Sequence, residues 1–190
     1  MKVHTNSAEE TQHAGKTFAK KLHGGDVILL YGNLGAGKTT FVQGLAKGLG
    51  IEKRIISPTF IIVRRYEIPS VIANEVKQSK NSHPGMATTM IGSRGRDSIA
   101  TLQNDTNEIP RNDRDIVRDD SRVFYHIDLY RTQTEDDVKG LGIDEILEEK
   151  DAIVAIEWPE KLGSFLPKKR WELRFENLEE NVRETTIEEV

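Results

Sequence analysis

The apolar residues of this chain fall into runs of two kinds, and the two kinds alternate. Ser7 is a capping residue, followed by Glu9 and Glu10 in what would be a first helical turn. Apolar positions then recur at helical spacing through Ala14, Phe18, Ala19 and Leu22, until Gly24 and Gly25 stop the helix. Asp26-Val-Ile-Leu-Leu-Tyr31 is a continuous apolar run of strand length, the pattern of a strand buried on both faces. A glycine-rich stretch follows, then a second helical pattern through Phe41, Leu45 and Leu49 that ends at Gly50. Phe60-Ile-Ile-Val63 and Val123-Phe-Tyr-His-Ile127 predict two further strands. Glu135 to Leu147 predicts a helix broken near Gly140 and Gly142, and Ala152-Ile-Val-Ala-Ile156 predicts another buried strand. Trp171 to Phe175 alternates, as does Thr185 to Val190 more weakly, which predicts edge strands. Strands alternating with helices give an α/β fold: a P-loop NTPase-like sheet, partly parallel with antiparallel strands, and helices on both faces.

Composition changes that picture at one place. All twelve aromatic residues lie outside the stretch between Tyr66 and Phe124. That stretch is rich in Ser, Asn, Thr, Gly, Asp and Arg, and without aromatic anchors it cannot bury enough apolar surface to offset its ordering entropy. The expectation is a single domain over 1–190 with a disordered insertion at 69–122. Within it, Arg111, Arg114, Arg118 and Arg122 are interleaved with Asp113, Asp115, Asp119 and Asp120, the pattern of a neutralised, solvated charge run.

The formal net charge of −4 argues against a free-standing nucleic-acid binder, which normally carries a basic face. With no cysteine, disulfides and thiolate metal sites are excluded. No run approaches the ~20 apolar residues that span a bilayer, so a cytoplasmic protein with no membrane partner is expected.

The chemistry concentrates in Gly32-Asn33-Leu34-Gly35-Ala36-Gly37-Lys38-Thr39, which fits G-x-x-x-x-G-K-[ST] between a predicted strand and a predicted helix. Glycines let successive backbone N–H groups turn toward phosphate oxygens, and the helix adds the positive end of its dipole. Asn33 through Thr40 are therefore the expected ATP-binding residues, with Lys38 on the outer phosphates and the Thr39 hydroxyl on Mg²⁺. A nucleotide-bound Mg²⁺ also needs a carboxylate from a neighbouring strand, and hydrolysis needs a group that orients water. Asp128 and Glu157 stand where two apolar strands end, the position at which open α/β sheets bind ligands. Spacing leaves open which acid serves the metal and which the water.

Four segments taken together, Gly32 to Phe41, Ser57-Pro-Thr-Phe60, His126-Ile-Asp-Leu-Tyr-Arg131 and Glu157-Trp-Pro-Glu160, resemble the TsaE family in identity and order. The resemblance covers essentially the whole chain outside 69–122. It implies an ATPase needed for threonylcarbamoyladenosine formation in tRNA, acting with the TsaB–TsaD complex and meeting tRNA only indirectly. By that resemblance Thr39, Asp128 and Glu157 form the metal site, and Lys38, Asp128, Glu157 and Thr59 are the catalytic set. Thr59 lies in a switch-like loop. Trp158 sits beside the nucleotide, and Ser7 to Thr11 approach the adenine. His126 reads as an ordinary strand residue. The departure is the insertion: family members join the two strands by a short hairpin, whereas Ser70 to Ser79 and its continuation resemble translated repetitive elements. The competing reading is a P-loop kinase for a small metabolite, with the arginine-rich stretch as its lid.

Overall fold

The computed structural model describes residues 1–58, 62–69 and 122–190. All of them belong to one packing unit, Met1–Ser70 with Asp120–Val190. Ser7 caps the first helix as its sequence position demands: its hydroxyl accepts from the Glu10 backbone N–H, and helix α1 runs Ala8–Phe18. It follows strand β1, Lys2–Thr5, and leads to β2, Val27–Tyr31. Helix α2 spans Lys38–Gly48, β3 spans Val63–Glu67 and β4 spans Val123–Asp128. The glycine break divides the next helix into α3, Glu135–Lys139, and α4, Ile143–Glu148, with Gly142 in the left-handed conformation at the joint. Thr134 and Asp137 form a capping box that starts α3. Strand β5 is Ala152–Glu157, β6 is Trp171–Asn177 and β7 is Arg183–Glu189.

The seven strands form one sheet in the order β1-β7-β6-β2-β5-β4-β3. The four central strands, β6, β2, β5 and β4, pair in parallel, and antiparallel strands extend both sides. Because side chains alternate across a strand, each buried strand feeds two cores. Ile28, Leu30, Phe124, Ile153, Ala155 and Leu173 join Phe18, Phe41 and Leu45 of α1 and α2. Val27, Leu29, Ile127, Val154 and Ile156 join Val138 and Ile143 of α3 and α4. The expected fold class holds, with helices on both faces.

Three details differ from the sequence reading. Strands β6 and β7 are interior rather than edge strands; they alternate because one of their faces carries the aromatic core and the other is polar. The edge on that side is β1, a four-residue strand too short and too polar to register as a pattern. The strand placed at 60–63 begins only at Val63, since Ile62 has φ 67°, and runs on through Arg64 and Arg65. As the other edge among the described residues, β3 pairs with β4 and tolerates exposed polar side chains. The expectation of disorder at 69–122 falls on residues of which 70–121 lie outside the described residues. The two ends are described: the Ile68 N–H donates to the Arg122 carbonyl at 2.8 Å, continuing the β3–β4 ladder.

Helices α1 and α2 touch backbone to backbone, because Gly15 and Gly44 lie in the contact. A Cβ on Gly44 would stand 1.9 Å from the Gln12 carbonyl oxygen, and one on Gly15 would stand 2.2 Å from that of Phe41. Gly44→Ala normally favours a helix by about 1 kcal/mol. Here it should instead destabilise the protein by about 2 kcal/mol or more, because the helices must separate. A lowered urea midpoint at unchanged slope is the expected result. The Ile68–Arg122 bond also brings the chain ends at the insertion within reach of a two-residue turn. Replacing residues 69–121 by Asn-Gly should leave the protein soluble and folded, with nucleotide affinity, read by calorimetry, within about threefold, because closure entropy varies slowly with loop length.

Candidate functional site

The segment between β2 and α2 is built from backbone that side chains would obstruct. Gly32, Gly35 and Gly37 have φ of 141°, 78° and 103°. Gly37 is the left-handed N-cap residue of α2, and no side chain caps that helix, so its first-turn N–H groups are left to a ligand. Lys38, the first helical residue, folds back over the loop. Its ammonium donates to the carbonyls of Gly32 at 2.6 Å and Asn33 at 3.0 Å, and lies 4.0 Å from the Trp158 ring centroid. Burial pushes this ammonium below the usual lysine range, while the carboxylates of Glu157, Glu160 and Asp128 pull it back up.

A cavity of about 230 Å³ opens over this loop. Leu34 to Thr40 form one side, and Ser57, Asp128, Tyr130, Glu157, Trp158 and Arg183 complete it. Of Asn33 to Thr40 and Trp158, every residue therefore lines it except Asn33, whose carbonyl anchors Lys38 instead; Ser7 to Thr11 do not line it. Trp158 holds its place through a backbone at φ 63°, ψ 48°, a conformation side chains rarely adopt and one found preferentially at functional positions. Its ring packs against Tyr130 at 5.1 Å.

The two acids arrive by strand parity. Phe124, His126 and Asp128 alternate along β4, and Ile153, Ala155 and Glu157 along β5, so both carboxylates share the face that carries α2. The parallel register places Asp128 beside Glu157, and both are buried. Their partners differ. The Thr39 hydroxyl donates to both oxygens of Glu157, at 2.8 and 3.0 Å, and His126 Nε2 lies 2.9 Å from Glu157 Oε1. Asp128 accepts from the Ser57 hydroxyl at 2.7 Å and from the Tyr130 N–H at 3.0 Å. The structure thus separates the acids that spacing alone left equivalent: Glu157 faces the start of α2, and Asp128 faces the Ser57 segment. Thr59 lies outside the described residues.

Two contributors escaped the sequence reading. His126, read as an ordinary strand residue, contacts Glu157 directly; the parity of β4 carried that signal, since His126 and Asp128 are two apart. Arg183 reaches the cavity from β7, and a Cβ on Gly37 would meet its Cδ at 3.2 Å. No motif marks Arg183, and only the sheet order brings it there. The segment Ser7 to Thr11 does approach the loop at one point: the Thr11 methyl would lie 3.6 Å from a Cβ on Gly37. Among the described residues, no three His, Asp or Glu side chains gather into a group that could hold a metal ion by themselves, and no helix is long and apolar enough to cross a membrane.

The family model described as threonylcarbamoyl adenosine biosynthesis protein TsaE matches residues 5–76 and 115–185, and so skips the middle of the stretch without aromatics. The chain is 28% identical over 187 residues to the tRNA threonylcarbamoyladenosine biosynthesis protein TsaE of Bacillus subtilis, covering 98% of this chain and 84% of that one. To the protein of the same name from Treponema pallidum it is 28% identical over 187 residues, covering 98% and 99%. To that from Synechocystis it is 32% identical over 155 residues, covering 80% and 66%. Among solved structures it resembles the crystal structure of Bacillus subtilis YdiB, with a TM-score of 0.59 and 26% identity, covering 98% of this chain and 83% of that one. Sequence, family match and fold agree, and the chain belongs to the TsaE family, whose members take part in threonylcarbamoyladenosine biosynthesis for tRNA.

Proposed function

We propose that the cleft binds ATP with magnesium and hydrolyses it, and that this cycle serves threonylcarbamoyladenosine formation through the TsaB–TsaD complex rather than by carrying out the transfer itself. The observation that carries the reading is the bond from Thr39 to both oxygens of Glu157 at the uncapped start of α2. A hydroxyl whose hydrogen is engaged by a carboxylate has only lone pairs left to offer, which suits a hard cation. The donor set fits magnesium in particular, which is usually held by one or two carboxylates together with phosphate oxygens and water rather than by a full protein cage. Bound there, the ion would neutralise charge that builds on the outer phosphates during their transfer to water.

The protein's own groups then divide the work. The backbone of Leu34 to Thr40 would cradle the phosphates, and Lys38 would leave its two carbonyls for the outer oxygens. Thr39 and Glu157 would fix the metal, with Asp128 at its margin. Asp128, already oriented by Ser57 and Tyr130, would position the attacking water. Ser57 begins the segment that contains Thr59, so a group responsive to the outermost phosphate would be tied through Asp128 to the same cleft. Trp158 would lie against the nucleotide. The acidic balance supports meeting tRNA only through the partners, in the cytoplasm. The kinase alternative draws on Arg111, Arg114, Arg118 and Arg122, the first three of which lie outside the described residues, and phosphate transfer from ATP to a metabolite would be its signature.

Glu157→Gln should retain ATP binding within about tenfold while lowering hydrolysis roughly a hundredfold, equivalent to about 2.7 kcal/mol of transition-state stabilisation. Phosphate release and calorimetry on the same preparation separate the two effects. Undiminished hydrolysis would place the metal-side carboxylate elsewhere. If the Ser57 segment takes different arrangements with ATP and ADP, nucleotide and TsaB–TsaD binding are reciprocally coupled. A coupling of about 1–3 kcal/mol corresponds to roughly 5–150-fold in partner affinity. Titrating TsaB–TsaD in each nucleotide state should reveal that difference, and Lys38→Ala should abolish it. Equal affinities in ATP, ADP and nucleotide-free buffer would refute the switch.

A further inference from the structure

His126 is fully buried on β4, one strand in from the β3 edge of the sheet, yet among the described residues it makes a single polar contact. Its Nε2 lies 2.9 Å from Glu157 Oε1, and its Nδ1 is buried without a hydrogen-bond partner among the described residues. An ionised carboxylate only accepts, so the proton in this contact belongs to Nε2. A buried polar ring with one nitrogen unsatisfied is a poor way to stabilise a core, since an apolar side chain of similar size would leave no group without a partner. The same strand shows what such a position ordinarily holds: Phe124, two residues back on the same face, is apolar and fully buried. Among the described residues, the one hydrogen bond the ring makes goes to one oxygen of one carboxylate.

That oxygen is also the nearer acceptor of the Thr39 hydroxyl, at 2.8 Å. Glu157 sits at the last position of β5, where the strand ends and Trp158 turns into the left-handed conformation. A carboxylate on such a strand end can rotate about its side-chain bonds, and Thr39 alone, being a ligand of the same cleft, cannot fix it independently of what binds there. The register supplies a second hold from the neighbouring strand: His126 lies opposite Ala155, two residues before Glu157 on the same face.

We propose that His126 is a positioning residue, whose Nε2–H fixes the Glu157 carboxylate with both oxygens toward Thr39 before any ligand arrives. The inference rests on the reading of the cleft as a magnesium–ATP site, and it assigns His126 no contact with nucleotide or metal. Its effect is exerted through Glu157: without the hold, the carboxylate loses its preset orientation, and the Thr39 hydroxyl loses a fixed acceptor.

Three substitutions test this. His126→Leu removes the donor, His126→Asn supplies an amide that falls short at the Nδ1 position, and His126→Gln places an amide nitrogen near that of Nε2. The first readout needs no ligand. In long-range ¹⁵N–¹H spectra of the unaltered, nucleotide-free and metal-free protein, the ring proton should reside on Nε2, and Glu157→Gln should shift that resonance. A bare Nε2 overturns the proposal. The second readout is the gain in ATP affinity on adding magnesium, measured by calorimetry. It should fall about tenfold or more in the Leu and Asn variants and stay within about threefold in the Gln variant. Equal gains in all four proteins, or equal losses in all three variants, would overturn the proposal, the latter by showing a purely structural role. If the unaltered protein binds no ATP with or without magnesium, the functional reading falls instead, and the ring spectrum still decides whether His126 holds Glu157.

Discussion

The parallel pairing of β4 with β5, in the register that sets Asp128 beside Glu157, is the constraint on which the rest of the site depends. Side chains on a strand alternate with a period of two, so a slip of one residue would turn a strand's whole set to the opposite face. For β4 it would carry His126 and Asp128 to the face of α3 and α4, and send Tyr125 and Ile127 toward α2. The register is held by apolar burial on both faces, because both strands are buried along their full lengths. Packing energy spread over the nine apolar residues of the two strands thereby fixes the positions of three polar ones. The geometry of the cleft is a by-product of a hydrophobic decision.

The second fixed distance is between the sheet and the start of α2. Thr39 reaches Glu157 only because the loop from Gly32 to Gly37 returns the chain tightly over the end of β2, and because α2 is pressed down by α1. The backbone contact at Gly15 and Gly44 lets α1 lie close, and the Thr5–Thr11 hydroxyl pair ties its first turns to β1. Helix position, loop conformation and acid orientation thus form one mechanical set, in which no member is adjustable alone.

Much of this was legible in the residues. The glycine loop declares itself through spacing, and the central strands through continuous apolar runs, since burial on both faces leaves no polar position to confuse the pattern. The capping of α1 by Ser7 and the break at Gly142 follow from local chemistry and appear as read. What was not legible depends on long-range pairing. Strands β6 and β7 carry an alternating pattern that belongs equally to an edge strand and to an interior strand with one wet face. The short β1 has almost no pattern at all. Arg183 gains its place by the cleft through the order of strands, which no local window contains. His126 was passed over because a histidine inside an apolar run looks like a core residue until its neighbour across the ladder is known.

The sheet order also sets a timetable for synthesis on the ribosome. Strand β2 and the glycine loop are made early, but the neighbours of β2 are β5 and β6, both made late. Arg183 opens β7, the strand with which β1 pairs among the described residues. The glycine loop is therefore made well before the carboxylates of Asp128 and Glu157, and before either strand that pairs with β2. Ligand capture cannot guide folding from the start of the chain, as it does where a binding loop and its partners are neighbours in sequence. The cleft is assembled from the outside inward, and the earliest residues of the site are the last to acquire their surroundings.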